Sequence, residues 1–116
     1  MPKTMVSACV MTFNNDDVIK ECMESIKWVD EIIVVDSYST DNTVEICRKY
    51  TDRVYQREWP GFKDQSNYIV SLANYEWILF TDADEIISPE LYLEIQSLLN
   101  NDTNEWDGFY FPRKTR

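Results

Sequence analysis

The chain has 116 residues, a formal net charge of −10, 44% apolar residues and no histidine. This size and apolar content suit one globular domain with a real core rather than a disordered segment. The charge excludes a nucleic-acid or anionic-lipid binder that works through a basic stripe, and the missing histidine excludes Ser-His-Asp and Cys-His catalysis and every histidine-ligated metal.

Met5 to Phe13 is a short run rich in small and β-prone residues. It is too short to span a membrane and reads as a first strand, not a signal peptide. Asn14, Asn15 and Asp16 are turn and cap residues, after which Val18, Ile19, Cys22, Met23 and Ile26 recur at helical spacing. Residues 31–36, Glu-Ile-Ile-Val-Val-Asp, form a second strand, apolar until it ends in acid. Thr40, Asp41 and Asn42 can each cap the short helix marked by Val44, Ile46, Cys47 and Tyr50. Arg53 to Gln56 is a brief, polar third strand, hence near a sheet edge. Trp59 to Phe62 is a loop, its two aromatics expected in the core, and a third helix starts near Lys63 with Tyr68, Ile69, Leu72 and Ala73 inward. Trp77 to Thr81 is the fourth strand. Ser88-Pro89-Glu90 opens a helix whose buried face is Leu91, Ile95, Leu98 and Leu99, and Trp106 to Pro112 begins a further strand.

Strand and helix alternate throughout, so the expected class is α/β with a mainly parallel sheet. Cys9, Cys22 and Cys47 are odd in number, lack CxxC spacing and sit in apolar patterns. They read as core thiols of a reducing compartment, so the chain is expected to be soluble and cytoplasmic.

The stretch from Trp77 to Ile86 carries the strongest chemical signal. An apolar strand gives way at once to Asp82, Asp84 and Glu85. Burying these carboxylates unpaired would be costly, so they are expected to face a cleft. In an extended backbone Asp82 and Asp84 would point to one side and could address one hard cation, Mg²⁺ or Mn²⁺, whose other positions phosphate can fill. Thr12 to Asn14, Asp36 with Ser37, and Asp82 to Asp84 all end strands. If those strands are neighbours, the groups meet beyond the carboxyl edge of the sheet, where ligands of such folds bind. The bland readings are that Asp36 caps a turn, that Thr12 satisfies local backbone, that Asp41 only caps, and that Asp82 and Asp84 belong to a solvated turn.

The ordered set Thr12-Phe13-Asn14, Ile33 to Ser37 with Ser39 to Thr43, Gln65-Ser66-Asn67 and Thr81 to Glu85 resembles the family 2 glycosyltransferases. The likeness spans nearly the whole chain. The Trp28 to Glu31 lead-in and the Asp-Ala-Asp-Glu ending look most like the lipopolysaccharide-core glucosyl- and heptosyltransferases. The resemblance implies a GT-A (Rossmann-like) nucleotide-diphospho-sugar-binding domain over residues 1–116, truncated before an acceptor part. It implies inverting transfer from a nucleotide-diphospho-sugar, a UDP-sugar by preference, to a saccharide or lipid-linked acceptor in cell-envelope polysaccharide biosynthesis, assisted by Mg²⁺ or Mn²⁺. Thr12 and Asp36 would hold the base, Asn14 would border ribose and phosphate, Asp82 would contact ribose, and Asp84 would ligate the metal. The catalytic base would lie downstream of Arg116, leaving the fragment inactive, and the full-length protein could associate peripherally with the inner face of the membrane. Many relatives have Gly where Tyr38 and Asn42 stand, an acid where Asn15 stands and a basic residue where Ser66 stands. Lys63, one turn earlier, could restore that charge. The rival reading is a non-catalytic phosphoacceptor domain of receiver type, which would need an acidic pair ending strand one and an Asp ending strand three.

Overall fold

The computed structural model describes residues 5–75 and 77–100, the last three by backbone alone. The elements are β1 (Val6–Thr12), α1 (Ile19–Ile26), β2 (Glu31–Asp36), α2 (Thr43–Cys47), β3 (Val54–Gln56), α3 (Phe62–Ser71), β4 (Trp77–Asp82) and α4 (Pro89–Asn100). The strand expected from Trp106 and the inward roles of Leu98 and Leu99 lie outside the described residues.

The four strands form one parallel sheet in the order β3-β2-β1-β4. The polar β3 sits at its edge, as its composition predicts. Parallel strands need crossovers, and the helices supply them. The chain winds outward from β1 to β3, then returns through α3 to place β4 on the far side of β1. Because crossovers of one hand change face when the winding direction reverses, α3 packs on the opposite face from α1 and α2.

The alternation of strand side chains divides the core accordingly. Val6, Ala8, Val10, Ile32, Val34 and Leu79 pack with α1, α2 and α4. Cys9, Ile33, Val35, Ile78 and Phe80 pack with Ile69 of α3. Helix α1 shows why periodicity sufficed. Its Ile19, Cys22, Met23 and Ile26 are all wholly buried, and they fall at i, i+3, i+4 and i+7. Helix α3 begins one residue before Lys63, at Phe62, because Gly61 adopts φ 115° and ψ 158° at its N-cap, a conformation open in practice only to glycine. In α4 the Ser88 hydroxyl accepts from the Leu91 N–H at 3.1 Å, the cap its Ser-Pro-Glu start implies.

All three cysteines are free and buried, and in two of them burial disfavours the thiolate. It pushes the Cys9 thiol up to about 12, with the Glu31 charge adding to it and Arg53 opposing. The Cys47 thiol also rises to about 12, through burial and then the charge of Asp36. Trp59 and Phe62, expected in the core, are instead exposed, with Phe62 resting one ring against Phe80 at 6.3 Å between centroids. Trp59 lies in the loop that Gly61 ends, and Phe62 on the first turn of α3.

Candidate active site

The carboxyl edge of the sheet gathers the strand ends, and Asp36 is its centre. Thr12, Asp36 and Gln56 are register partners on β1, β2 and β3 and form a row of polar side chains across the sheet. The Thr12 hydroxyl donates to Asp36 Oδ1 at 2.6 Å. After β2 the chain folds back so that Ser39 donates its N–H to Oδ2 at 2.7 Å and its hydroxyl to Oδ1 at 2.5 Å. Gln56 Nε2 reaches Oδ2 at 3.4 Å. Asp36 is thus wholly buried, and four donors occupy its acceptor positions. An acid that ends a strand at this edge is expected to share a cleft with its neighbours. The turn-back of Ser39 closes over it.

Asn14 stitches the β1 exit to the β2–α2 loop. Its backbone is left-handed at φ 51°, which Asn tolerates. Its N–H donates to Ser39 Oγ at 2.7 Å, and its Oδ1 accepts from the Thr40 N–H at 2.8 Å. Asp41 is not the N-cap of α2, a place Asn42 takes without a side-chain cap bond; one residue earlier, it braces the turn, accepting from the Thr43 N–H and hydroxyl at 2.9 and 2.5 Å and from the Asp16 N–H at 3.1 Å. Phe13 and Tyr38 stand exposed on these two loops, Tyr38 with φ 61°.

The acidic ending of β4 has a different geometry from the extended one expected. The strand continues to Asp82, and the chain then turns, with the Glu85 N–H donating to the Asp82 carbonyl at 3.1 Å. Glu85 is buried and its Oε1 accepts from the Asp82 N–H at 3.2 Å, locking the turn from inside. Asp84 occupies the third turn position and is exposed. Turn residues such as Asp serve this geometry well, so a strand rule could not describe it. Met11, the register partner of Asp82, packs with the α3-side core, which sets Asp82 on that face of the sheet while Asp36 faces the α1 side. Lys63 is exposed at the head of α3, the helix that packs on the sheet face opposite to Asp36. The Ser66 hydroxyl donates to the Phe62 carbonyl at 2.7 Å within that helix.

Three neighbouring strands, β2-β1-β4, therefore bring Asp36, Thr12 with Asn14, and Asp82 with Asp84 to one edge, from both of its faces. Ser39, Gln56 and Gln65 were not singled out as site residues. Gln65 is wholly buried, donating to Ser37 Oγ and accepting from Arg57 Nη1, each at 3.3 Å. The Asp-x-x-Ser spacing of Asp36 and Ser39 is a turn signal that could have revealed one of them. No such signal marks Gln56 until the strand order is known. As for a cation, no three carboxylate or thiol groups converge on a point among the described residues. A cation at the exposed Asp84 would have to draw most of its ligands from phosphate and water rather than from a protein cage.

The glycosyl transferase family 2 model matches residues 7–112. The chain belongs to that family. An uncharacterized glycosyltransferase of Rickettsia conorii is 40% identical over 92 residues, 78% of this chain and 33% of the relative. The lipopolysaccharide core biosynthesis glycosyltransferase LpsC of Rhizobium meliloti is 30% identical over 104 residues, 85% of this chain and 38% of LpsC. Among solved structures, S. aureus TarS 1-349 matches with a TM-score of 0.71 at 29% identity, over 84% of this chain and 33% of that one. Glucosyl-3-phosphoglycerate synthase of Mycobacterium tuberculosis, in complex with Mn²⁺, uridine diphosphate and glucosyl-3-phosphoglycerate, matches at 0.68 with 26% identity, over 83% and 40% of the two chains. The architecture is that of the GT-A glycosyltransferases. The chain spans 31–33% of the length of its first five curated relatives.

Proposed function

We propose that this chain is the donor-binding part of a glycosyltransferase that takes a sugar from a uridine-diphospho-sugar. The observation that carries the reading is the Thr12–Asp36 pair held at the carboxyl edge, one strand from the acidic turn of β4. Asp36 and Asp82 lie two strand spacings apart, about 10 Å, a separation one nucleotide bridges.

The residues divide the work by chemistry. Thr12 and Ser39 hold the Asp36 carboxyl oxygens in place, so they suit the N3–H of uracil as acceptors. Asn14 fixes the loop that borders the ribose. Asp82 meets the ribose from the other face of the edge, and Asp84 is exposed where a metal-bound diphosphate would sit. Lys63, exposed at the head of α3, would add positive charge for a phosphate. Mg²⁺ or Mn²⁺, when bound with the diphosphate, would neutralise charge on the departing nucleoside diphosphate. The uridine diphosphate and Mn²⁺ of the mycobacterial synthase, a protein of the same fold, support this choice of donor and ion. The likeness to LpsC supports an acceptor of the cell-envelope polysaccharide class, saccharide or lipid-linked. The receiver-type alternative finds no acidic pair at the end of β1 and no Asp at the end of β3, where Thr12 and Gln56 stand.

Thermal unfolding with added nucleotide tests the proposal, since only a ligand of the native state raises the midpoint; at one hundred times Kd the gain is about 2.7 kcal/mol. UDP with Mn²⁺ is expected to raise the midpoint more than UDP with EDTA. Asp84→Ala is expected to remove the Mn²⁺-dependent part alone. An undiminished Mn²⁺ effect in that variant takes Asp84 out of the metal site.

A further inference from the structure

Asp36 exposes no surface, so a ligand reaches its carboxylate only after one of its four donors withdraws. Thr12 is itself buried within the sheet. Ser39 holds on twice, through N–H and hydroxyl, at 2.7 and 2.5 Å. Gln56 differs from both. It is exposed, it ends a three-residue edge strand, and its 3.4 Å contact is the longest of the four. An amide oxygen would be repelled by the carboxylate, so the nitrogen is the atom that faces it.

We propose that the Gln56 carboxamide is a stand-in for the nucleobase: it fills the Asp36 acceptor position that a uracil N3–H requires and is displaced when a uridine nucleotide binds. The inference rests on the donor-site reading above and names a residue that tunes it. No covalent step is involved; one N–H donor replaces another on Oδ2. The exchange is selective by chemistry. Uracil N3 carries a proton and can take the vacated position. In the same seat, cytosine N3 carries a lone pair and would meet the carboxylate acceptor to acceptor; its 4-amino donor reaches Oδ2 only if the base shifts. Removing the competing amide therefore favours uridine nucleotides and leaves cytidine nucleotides where they were. Backbone pairing of β3 with β2 and the Arg57 N–H bond to the Asp36 carbonyl do not depend on the Gln56 side chain.

Calorimetric titration of UDP and of CDP, each with Mn²⁺, into the full chain and into Gln56→Ala, Gln56→Leu and Asp36→Asn tests this. Both Gln56 variants are expected to bind UDP about three- to tenfold more tightly, the size of one modest hydrogen bond, with CDP affinity unchanged. Leucine keeps the bulk of glutamine, so agreement between the two variants separates the lost donor from an opened gap. UDP affinity that is unchanged or weaker in both variants, or a gain that CDP shares equally, overturns the stand-in role. A wild-type chain that binds neither nucleotide or both alike, or an Asp36→Asn variant that keeps the full preference for UDP, overturns the donor-site reading instead.

Discussion

Tyr38 holds a left-handed backbone at φ 61° between Ser37 and Ser39 in the loop after Asp36, and its ring is exposed. A residue with a Cβ carries a strain of about 1–2 kcal/mol there, which glycine does not. Tyr38→Gly is therefore expected to raise the thermal midpoint by a few degrees, the response of a domain of roughly 100 residues to about 1 kcal/mol. A lower midpoint would mean that the ring packs more than its exposure implies. The likeness to relatives with Gly here already marked the position from sequence alone, and the structure supplies the reason. Asp36 was legible in the same way, as an acid that ends an apolar strand. Its enclosure was not, because the donors come from three separate segments: Thr12 on β1, Ser39 beyond β2 and Gln56 on β3.

Elements meet at the opposite, amino edge of the sheet through a single carboxylate. Glu31 Oε1 accepts from Ser7 Oγ at 2.7 Å and the Asn74 N–H at 2.9 Å, while Oε2 accepts from Asn74 Nδ2 and Arg53 Nη1, both at 2.6 Å. β1, β2, the approach to β3 and the turn before β4 are tied together there. Burial pushes the Glu31 carboxyl up, but the bonds from Asn74, Ser7 and Arg53 outweigh it and hold the group below 4.5. A depressed folded-state value means that the stabilisation is full above the unfolded value of 4.5 and is lost as pH falls through the lower folded one. Asp41 is shifted downward likewise, against burial, by the Thr43 and Asp16 bonds, and contributes in the same direction. Glu31→Gln is expected to destabilise the domain at pH 7 by about 2 kcal/mol, as loss of charge-assisted bonds does, and to flatten the loss of stability with acid. Equal acid sensitivity of wild type and variant, followed by urea unfolding across pH, would contradict this. The Trp28 to Glu31 lead-in that resembles the lipopolysaccharide-core enzymes thus does structural work. Asp30 Oδ2 accepts from the Val6 N–H at 2.8 Å, and Trp28 stacks edge-on against Tyr92 at 5.1 Å. Periodicity exposed such elements well, since α1 and β2 bury the residues their patterns single out. It failed at the β4 exit, where the rule for extended backbone met a turn at residues 82–85.

At the scale of the whole molecule, the reversal of winding between β3 and β4 decides which strand ends share an edge. It sets β4 beside β1 and brings its acidic turn to the edge that already carries Thr12 and Asp36. Strand adjacency is a tertiary fact; the alternation of strands and helices predicted a parallel sheet but left the order of its strands open. Among the described residues no helix is long and apolar enough to cross a membrane. The central claim is that one nucleotide occupies both sides of this edge, base toward Asp36 and diphosphate with its ion toward Asp84. Amide NMR spectra recorded with UDP and Mg²⁺, then with Mn²⁺ replacing Mg²⁺, test it most directly. The account predicts nucleotide-induced shifts at Thr12 and at Ser37 to Thr40, with paramagnetic broadening by Mn²⁺ centred on Ala83 to Glu85. Broadening centred instead on the amino edge, around Glu31 and Asn74, would contradict it.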